Sequence, residues 1–205
     1  MAKAASPPKS KSLRVLKDSA QTCLVCAFAV KSTQTVFGEG PKRARLMLVG
    51  EQPGNAEDLA GHPFVGPAGA LLEKIFTELG IRRDDVYVTN AVKHFKYVRK
   101  GKIRLHAKPN SVEIANCRPW LASEVAAVQP QVIVALGATA ADSVCGRSVA
   151  IGRHRGQWLT TPLGPARVLV SWHPSAILRA PDERARAEKR EQLKMDLAQA
   201  RDALT

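Results

Sequence analysis

The chain has 205 residues, 45% of them hydrophobic, which suits one sizeable core and excludes wholesale disorder. Lys and Arg total 31 against 18 Asp and Glu, a formal net charge of +13 that points to a polyanionic partner. No apolar run approaches the roughly 20 residues of a membrane helix, the start MAKAASPPKSKS has no secretory pattern, and four cysteines are too few for a disulfide scaffold, so a cytoplasmic, reducing location is expected.

Residues 1–17 are rich in Lys, Ser and Pro and are expected to form a disordered basic tail, leaving residues 18–205 as a single domain. Residues 46–49 are an apolar run ending at Gly50, the pattern of a buried strand entering a turn. Residues 68–79 carry Leu71, Leu72, Ile75, Phe76 and Leu79 at helical spacing and stop at Gly80, a C-cap signal. Residues 86–90 have the β-branched composition of a strand. Between 93 and 108 stand Lys93, Lys96, Arg99, Lys100, Lys102, Arg104 and Lys108 with no acid, which reads as a phosphate-binding loop. Asn110 and Glu113 form a capping box for a helix running to about Val128, with Pro119 expected to bend or interrupt it. Strands at 132–136 and 168–172 flank a helix beginning at 137–145. A last helix spans 182–203, where basic and acidic residues alternate as on a solvated face. Strands alternating with helices predict an α/β fold with a largely parallel sheet. In such sheets ligands collect beyond the carboxyl ends of the strands. Gly50-Glu-Gln-Pro-Gly54, Asn90 and His173-Pro-Ser175 all follow predicted strands, so they are expected to converge on one edge.

Cys23 and Cys26 are a C-x-x-C pair, a spacing that suits two thiolates on a metal or cluster, a redox dithiol, or two buried thiols. Cys117 and Cys145 would complete a set of four, but Cys145 lies in an apolar helical context and His94 competes for the last place.

Taken in order, Cys23-x-x-Cys26, Val36-Phe-Gly-Glu-Gly40, Gly50-Glu-Gln-Pro-Gly54, Pro63-Phe-Val-Gly66, Thr89-Asn90, Cys117-Arg-Pro-Trp120, Leu136-Gly-Ala138 and His173-Pro-Ser175 resemble the uracil-DNA glycosylase superfamily, in particular its iron–sulfur members. The resemblance implies a central four-stranded parallel sheet flanked by helices, a 4Fe–4S cluster and excision of uracil from DNA. Where the ordinary family 4 enzymes carry a cysteine after the Asn-bearing strand, this chain has His94. It also has an extra basic loop ending in Lys102-Ile-Arg-Leu-His106. Both features look like the UDGX branch, which becomes covalently joined to DNA. That branch writes its loop Lys-Arg-Arg-Ile-His, so Ile103 and Leu105 are departures.

Carried onto this chain, the resemblance implies cluster ligands Cys23, Cys26, Cys117 and His94, with Cys145 free. It implies a nucleophile at His106, a positive ring environment favouring its neutral form, and Glu51 against the sugar. His173 would hydrogen-bond the uracil carbonyl, Asn90 would read the base edge, Phe64 would stack on the flipped base, and Gln52 would lie against sugar and base. Lys102, Arg104 and Arg179 would contact DNA, with Lys9, Lys11 and Arg14 of the tail holding phosphates. Uracil-containing DNA, preferably single-stranded, is the expected partner of a monomeric, nucleoid-associated protein. Two other functions compete: a turnover glycosylase in which Glu51 positions a water, and a non-catalytic DNA-binding protein that keeps the fold.

Overall fold

The computed structural model describes residues 5–204, so the first four residues of the expected tail lie outside the described residues. Ser12 accepts from the amide of Val15 and starts helix α1 (Leu13–Ala20), which buries Leu16 and Ala20. Residues 13–17, expected within a disordered tail, are therefore helical: Leu13, Leu16 and Ala20 share one face against the core.

Four apolar segments then form the sheet. They are β1 (Leu46–Gly50), β2 (Val86–Asn90), a strand at Val132–Leu136 and a strand at Arg167–Ser171. The first three are buried along their whole length, because a parallel sheet covered on both faces needs no polar side. Between β1 and β2 run α2 (Asn55–Ala60) and α3 (Pro67–Leu79). Pro67 opens α3, and Gly80 closes it in the left-handed conformation at φ 64°.

The stretch after β2 departs from expectation. The basic loop is an antiparallel hairpin of β3 (Tyr97–Lys100) and β4 (Ile103–His106), turned at Gly101 with φ 58°. Helix α4 (Ser111–Val128) follows, and its predicted capping box is complete. Asn110 Oδ1 accepts from the Glu113 amide at 2.9 Å, and Glu113 Oε2 accepts from the Asn110 amide at 2.7 Å. The helix runs through Pro119 without interruption. Cys117, Trp120, Leu121 and Glu124 are buried around the proline, so tertiary packing offsets the missing amide.

The strand at Val132–Leu136 is β5. It is followed by α5 (Ala138–Cys145), α6 (Ile151–His154), a short β6 (Trp158–Leu159), the strand β7 at Arg167–Ser171, α7 (Pro174–Leu178) and α8 (Glu183–Asp202). The order across the sheet is β2-β1-β5-β7-β6. The four long strands are parallel as expected, and β6 adds an antiparallel edge. Helices α4 and α5 cover one face through Leu121, Val125, Ala140 and Val144. Helices α3, α7 and α8 cover the other through Leu72, Phe76, Ile177 and Leu197. A third apolar cluster, away from the sheet, joins α1 and α4 and contains Leu16, Phe28, Phe37, Trp120 and three cysteines. Among the described residues no helix is long and apolar enough to cross a membrane.

Candidate active site

The carboxyl ends of β1, β2, β5 and β7 open into a cavity of about 550 Å³. Glu51, Gln52, Phe64, Asn90, His106, His173 and Arg179 all line it, so seven of the expected site residues meet in one place. The floor is Gly50. A Cβ there would fall 2.3 Å from Asn90 Oδ1, 2.9 Å from Phe64 Cζ and 3.4 Å from His173 Nε2, so the three side chains surround a space that only glycine leaves open. Phe64 has a left-handed backbone at φ 59°, a strained conformation for a bulky residue. Gly69 of α3 makes room for it, since a Cβ there would fall 1.6 Å from the Phe64 carbonyl oxygen. The Phe64 and His173 rings lie roughly parallel, with centroids 6.1 Å apart.

His173 caps α7. Its Nδ1 accepts from the Ser175 amide at 3.1 Å and lies 2.8 Å from Ser175 Oγ. An amide can only donate, so Nδ1 carries the lone pair and the neutral ring holds its proton on Nε2. Burial pushes the His173 pKa down to about 4. Arg179 and His106 add to that shift, and the Glu51 charge opposes it. The residue is therefore a neutral donor that lines the cavity, with Nε2 beside the space left open at Gly50.

Glu51 faces two donors. Its Oε1 is 3.1 Å from His106 Nε2, and its Oε2 accepts from Thr139 Oγ1 at 2.5 Å. Burial works to raise its pKa, but the hydrogen bonds from His106 and Thr139 outweigh burial and hold it below the ordinary carboxylate value. His106 ends β4, and its partner is this carboxylate rather than the Lys and Arg side chains expected to set its state. Thr139 was not foreseen from sequence; its signal is its place one residue after Leu136-Gly-Ala138.

Other expected contacts are committed within the protein. Gln52 Nε2 donates to the carbonyls of Lys96 (3.1 Å) and Ala107 (3.2 Å), and its Oε1 accepts from the Lys96 amide (3.2 Å). Its amide thus clasps both ends of the hairpin instead of facing sugar or base. Arg104 Nη1 pairs with the fully buried Asp58 at 2.6 Å, and its Nε donates to Asn55 Oδ1 at 2.7 Å, which pins the hairpin to α2. Lys93, expected among the phosphate ligands, is buried against Glu124. It also donates to Thr89 Oγ1 (2.6 Å) and to the Asn90 carbonyl (2.7 Å), fixing the end of β2 from behind. Lys102 stays exposed on the hairpin turn, outside the cavity, and Arg179 stays exposed at the cavity edge.

Cys23, Cys26 and Cys117 share the third apolar cluster, whereas Cys145 belongs to the core under the sheet. Among the described residues no three His, Cys, Asp or Glu converge closely enough to share one metal ion. A four-iron cluster asks for something else, ligands spread over separate irons. Burial pushes Cys117 up to about 12 and Cys26 up to about 11, so without a metal both are neutral thiols. The buried Trp120 Nε1, in the same cluster, has no acceptor in the protein. Three soft donors and an orphaned N–H in one apolar cluster fit a sulfide-containing group.

His94 stands two residues after Val92 of the same cluster, and its Nε2 is 2.8 Å from Thr35 Oγ1. Thr35 donates its own proton to the Ala20 carbonyl at 3.0 Å, so it accepts from His94 Nε2–H. Burial pushes His94 down to about 4, which leaves a neutral ring with its lone pair on Nδ1.

Residues 37–198 match the model of the uracil DNA glycosylase superfamily. A type-4 uracil-DNA glycosylase of Thermotoga maritima is 39% identical over 168 residues, covering 82% of this chain and 83% of that protein. One of Pyrobaculum aerophilum is 34% identical over 183 residues, covering 86% and 90%. A type-5 enzyme of the same organism is 33% identical over 156 residues, covering 67% and 64%. With its parallel sheet and its strand-end cavity, the chain belongs to the uracil-DNA glycosylase superfamily.

Proposed function

We propose that this protein excises uracil from DNA and that His106 then captures the abasic sugar, leaving the protein covalently attached. The observation that carries this reading is His106 Nε2 at 3.1 Å from Glu51 Oε1, across a cavity that also holds Asn90, Phe64 and His173.

A uracil turned out of the stack enters the cavity, at a cost of a few kcal/mol that is least from single strands, which are the preferred substrate. Phe64 stacks on the base, and the Asn90 amide both donates to and accepts from its edge. As the bond between C1′ and N1 breaks, its electron pair leaves with the uracil, and the His173 Nε2–H donates to the carbonyl oxygen where that charge gathers. The Glu51 carboxylate, held ionised by its two donors, opposes the positive charge on the sugar. The His106 ring nitrogen bearing the lone pair then bonds to C1′. The proton on its other nitrogen passes by way of Glu51 to solvent, and the uracil anion takes one up, so the step balances. His106 Nε2 takes the place beside Glu51 Oε1 where a Glu51-positioned water would sit, which supports capture by the ring. The cavity is complete within one chain, which suits a monomer.

Cys23, Cys26, Cys117 and His94 through Nδ1 would hold a 4Fe–4S cluster, with Cys145 outside it. The support is the donor set and the tautomer that Thr35 imposes. When bound, the group cross-links the Cys23–Cys26 segment to α4 and to the segment after β2.

The test is incubation with a uracil-containing single-stranded oligonucleotide followed by a denaturing gel. A shifted band that survives heat and detergent is expected. Free abasic DNA without an adduct would mean turnover, and unaltered DNA would mean binding without catalysis.

A further inference from the structure

Beside the cavity lies a second depression of about 510 Å³, bounded by Asn55, Leu59, Arg99, Lys102, Ile103 and Arg104. Asn55 lines both, so the two adjoin at that residue. One wall is α2, where Leu59 is 60% exposed. The other is the hairpin turn, where Ile103 is 63% exposed. Single exposed apolar residues are ordinary, but two bounding one cleft with cations between them form an amphipathic surface.

The charge around the cleft is unbalanced. Arg99 and Arg104 are cross-strand partners in the hairpin, and like charges so placed repel. Arg104 is satisfied by Asp58 and Asn55. Arg99 has only the face of Tyr97, 5.8 Å from the ring centroid, and among the described residues neither it nor Lys102 has a carboxylate partner. The cleft therefore holds two uncommitted cations against two apolar side chains. It also holds an Asn55 amide whose oxygen is taken by Arg104 and whose NH₂ stays free to donate at the border of the two spaces.

We propose that this depression is a nucleotide subsite, taking the neighbour of the uracil nucleotide on the same strand. Arg99 and Lys102 draw its phosphate, the base or sugar covers Leu59 and Ile103, and the Asn55 NH₂ donates to the phosphate bridging the two nucleotides. With Arg99, Lys102 and Asn55 given to phosphates and Arg104 held by Asp58, the base meets only the apolar Leu59 and Ile103, so the subsite accepts any base. The proposal rests on the reading of the main cavity as the uracil pocket.

The experiment measures binding of the intact protein, by fluorescence anisotropy, to short strands carrying 2′-fluoro-2′-deoxyuridine, whose glycosidic bond resists cleavage. The uridine carries one added nucleotide on the 5′ side, on the 3′ side, on both, or on neither. An added nucleotide on one side only is expected to tighten binding roughly tenfold. Leu59→Ser with Ile103→Ser should erase that gain while leaving affinity for the unextended strand unchanged. Arg99→Gln with Lys102→Gln should lower the salt dependence by about 0.7 in the log–log slope for the phosphate lost. Circular dichroism of these surface variants reports whether they fold. Equal gains on both sides, or a one-sided gain that survives the Leu59 and Ile103 changes, would overturn the subsite and leave the uracil pocket standing. Equal affinity for the fluorouridine strands and matched thymidine strands would overturn both.

Discussion

His173 offers the sharpest perturbation of bond cleavage. Its ring does two things: Nδ1 caps α7 by accepting from the Ser175 amide, and Nε2–H is the donor proposed for the leaving uracil. His173→Asn separates them, because asparagine is among the preferred N-cap residues while its short amide does not reach where Nε2 stands. Losing one preorganised donor to a developing oxyanion costs roughly 2.7–4 kcal/mol, about a hundred- to a thousandfold in rate. The cap is kept, so stability should fall by less than about 1 kcal/mol. Single-turnover uracil release, with thermal unfolding measured in parallel, reads both quantities. If the variant releases uracil within about threefold of the native rate, a difference under about 1 kcal/mol, the donor role is wrong. If release and stability collapse together, the residue acts through the fold.

The same ring makes stability depend on pH. With a folded pKa near 4 against 6.5 for the free residue, the unfolded chain takes up the proton first. Its contribution is complete above pH 6.5 and is lost as pH falls toward 4, by roughly 3 kcal/mol. The slope of unfolding free energy against pH in the native protein, minus that in His173→Asn, should show it. Lys93→Met strands the Glu124 carboxylate in the core and should cost about 3–5 kcal/mol in denaturant unfolding, with much of the loss recovered by adding Glu124→Gln, which removes the charge and keeps an acceptor for Gly38, Tyr87 and Thr89. Gln52→Ala removes three hydrogen bonds that clasp the hairpin, each worth about 0.5–1.5 kcal/mol, and should reduce adduct yield more than uracil release when both are followed in one time course.

The legible parts of the fold are those whose local pattern and burial agree. The strands at β1, β2 and β5 read as apolar runs because both faces of the sheet are covered. Helix α4 announced itself through Asn110 and Glu113, whose two capping bonds need only three residues of separation. The β3–β4 hairpin was illegible because its partners are distant. Arg104 reaches Asp58 across 46 positions, and Gln52 reaches Lys96 and Ala107 across 44 and 55, so a charged segment looks like a loop until those contacts are known. Helix α1 was hidden by composition, since Leu13, Leu16 and Ala20 are few among the lysines and serines around them.

The same distinction runs through the site. Glu51, Asn90 and His173 follow strands, so topology alone brings them together at the carboxyl edge. Sequence gives a polar residue's chemistry but not the group that consumes it. Lys93 reads as a phosphate ligand until Glu124 appears beside it, and Gln52 reads as a base contact until its amide is found clasping the hairpin. Thr35 and Ser175 do the converse, fixing the tautomers of His94 and His173 through bonds that no motif displays.

The central claim is that cleavage and capture belong to different residues, and His106→Ser tests it most directly. Uracil release and adduct formation are followed separately on one single-stranded substrate. Because Glu51, Asn90 and His173 remain and water can enter the vacated space, the variant should release uracil and form no adduct. An adduct that persists would make another residue the nucleophile. Loss of both signals with DNA binding intact would place His106 in the cleavage step and contradict the account.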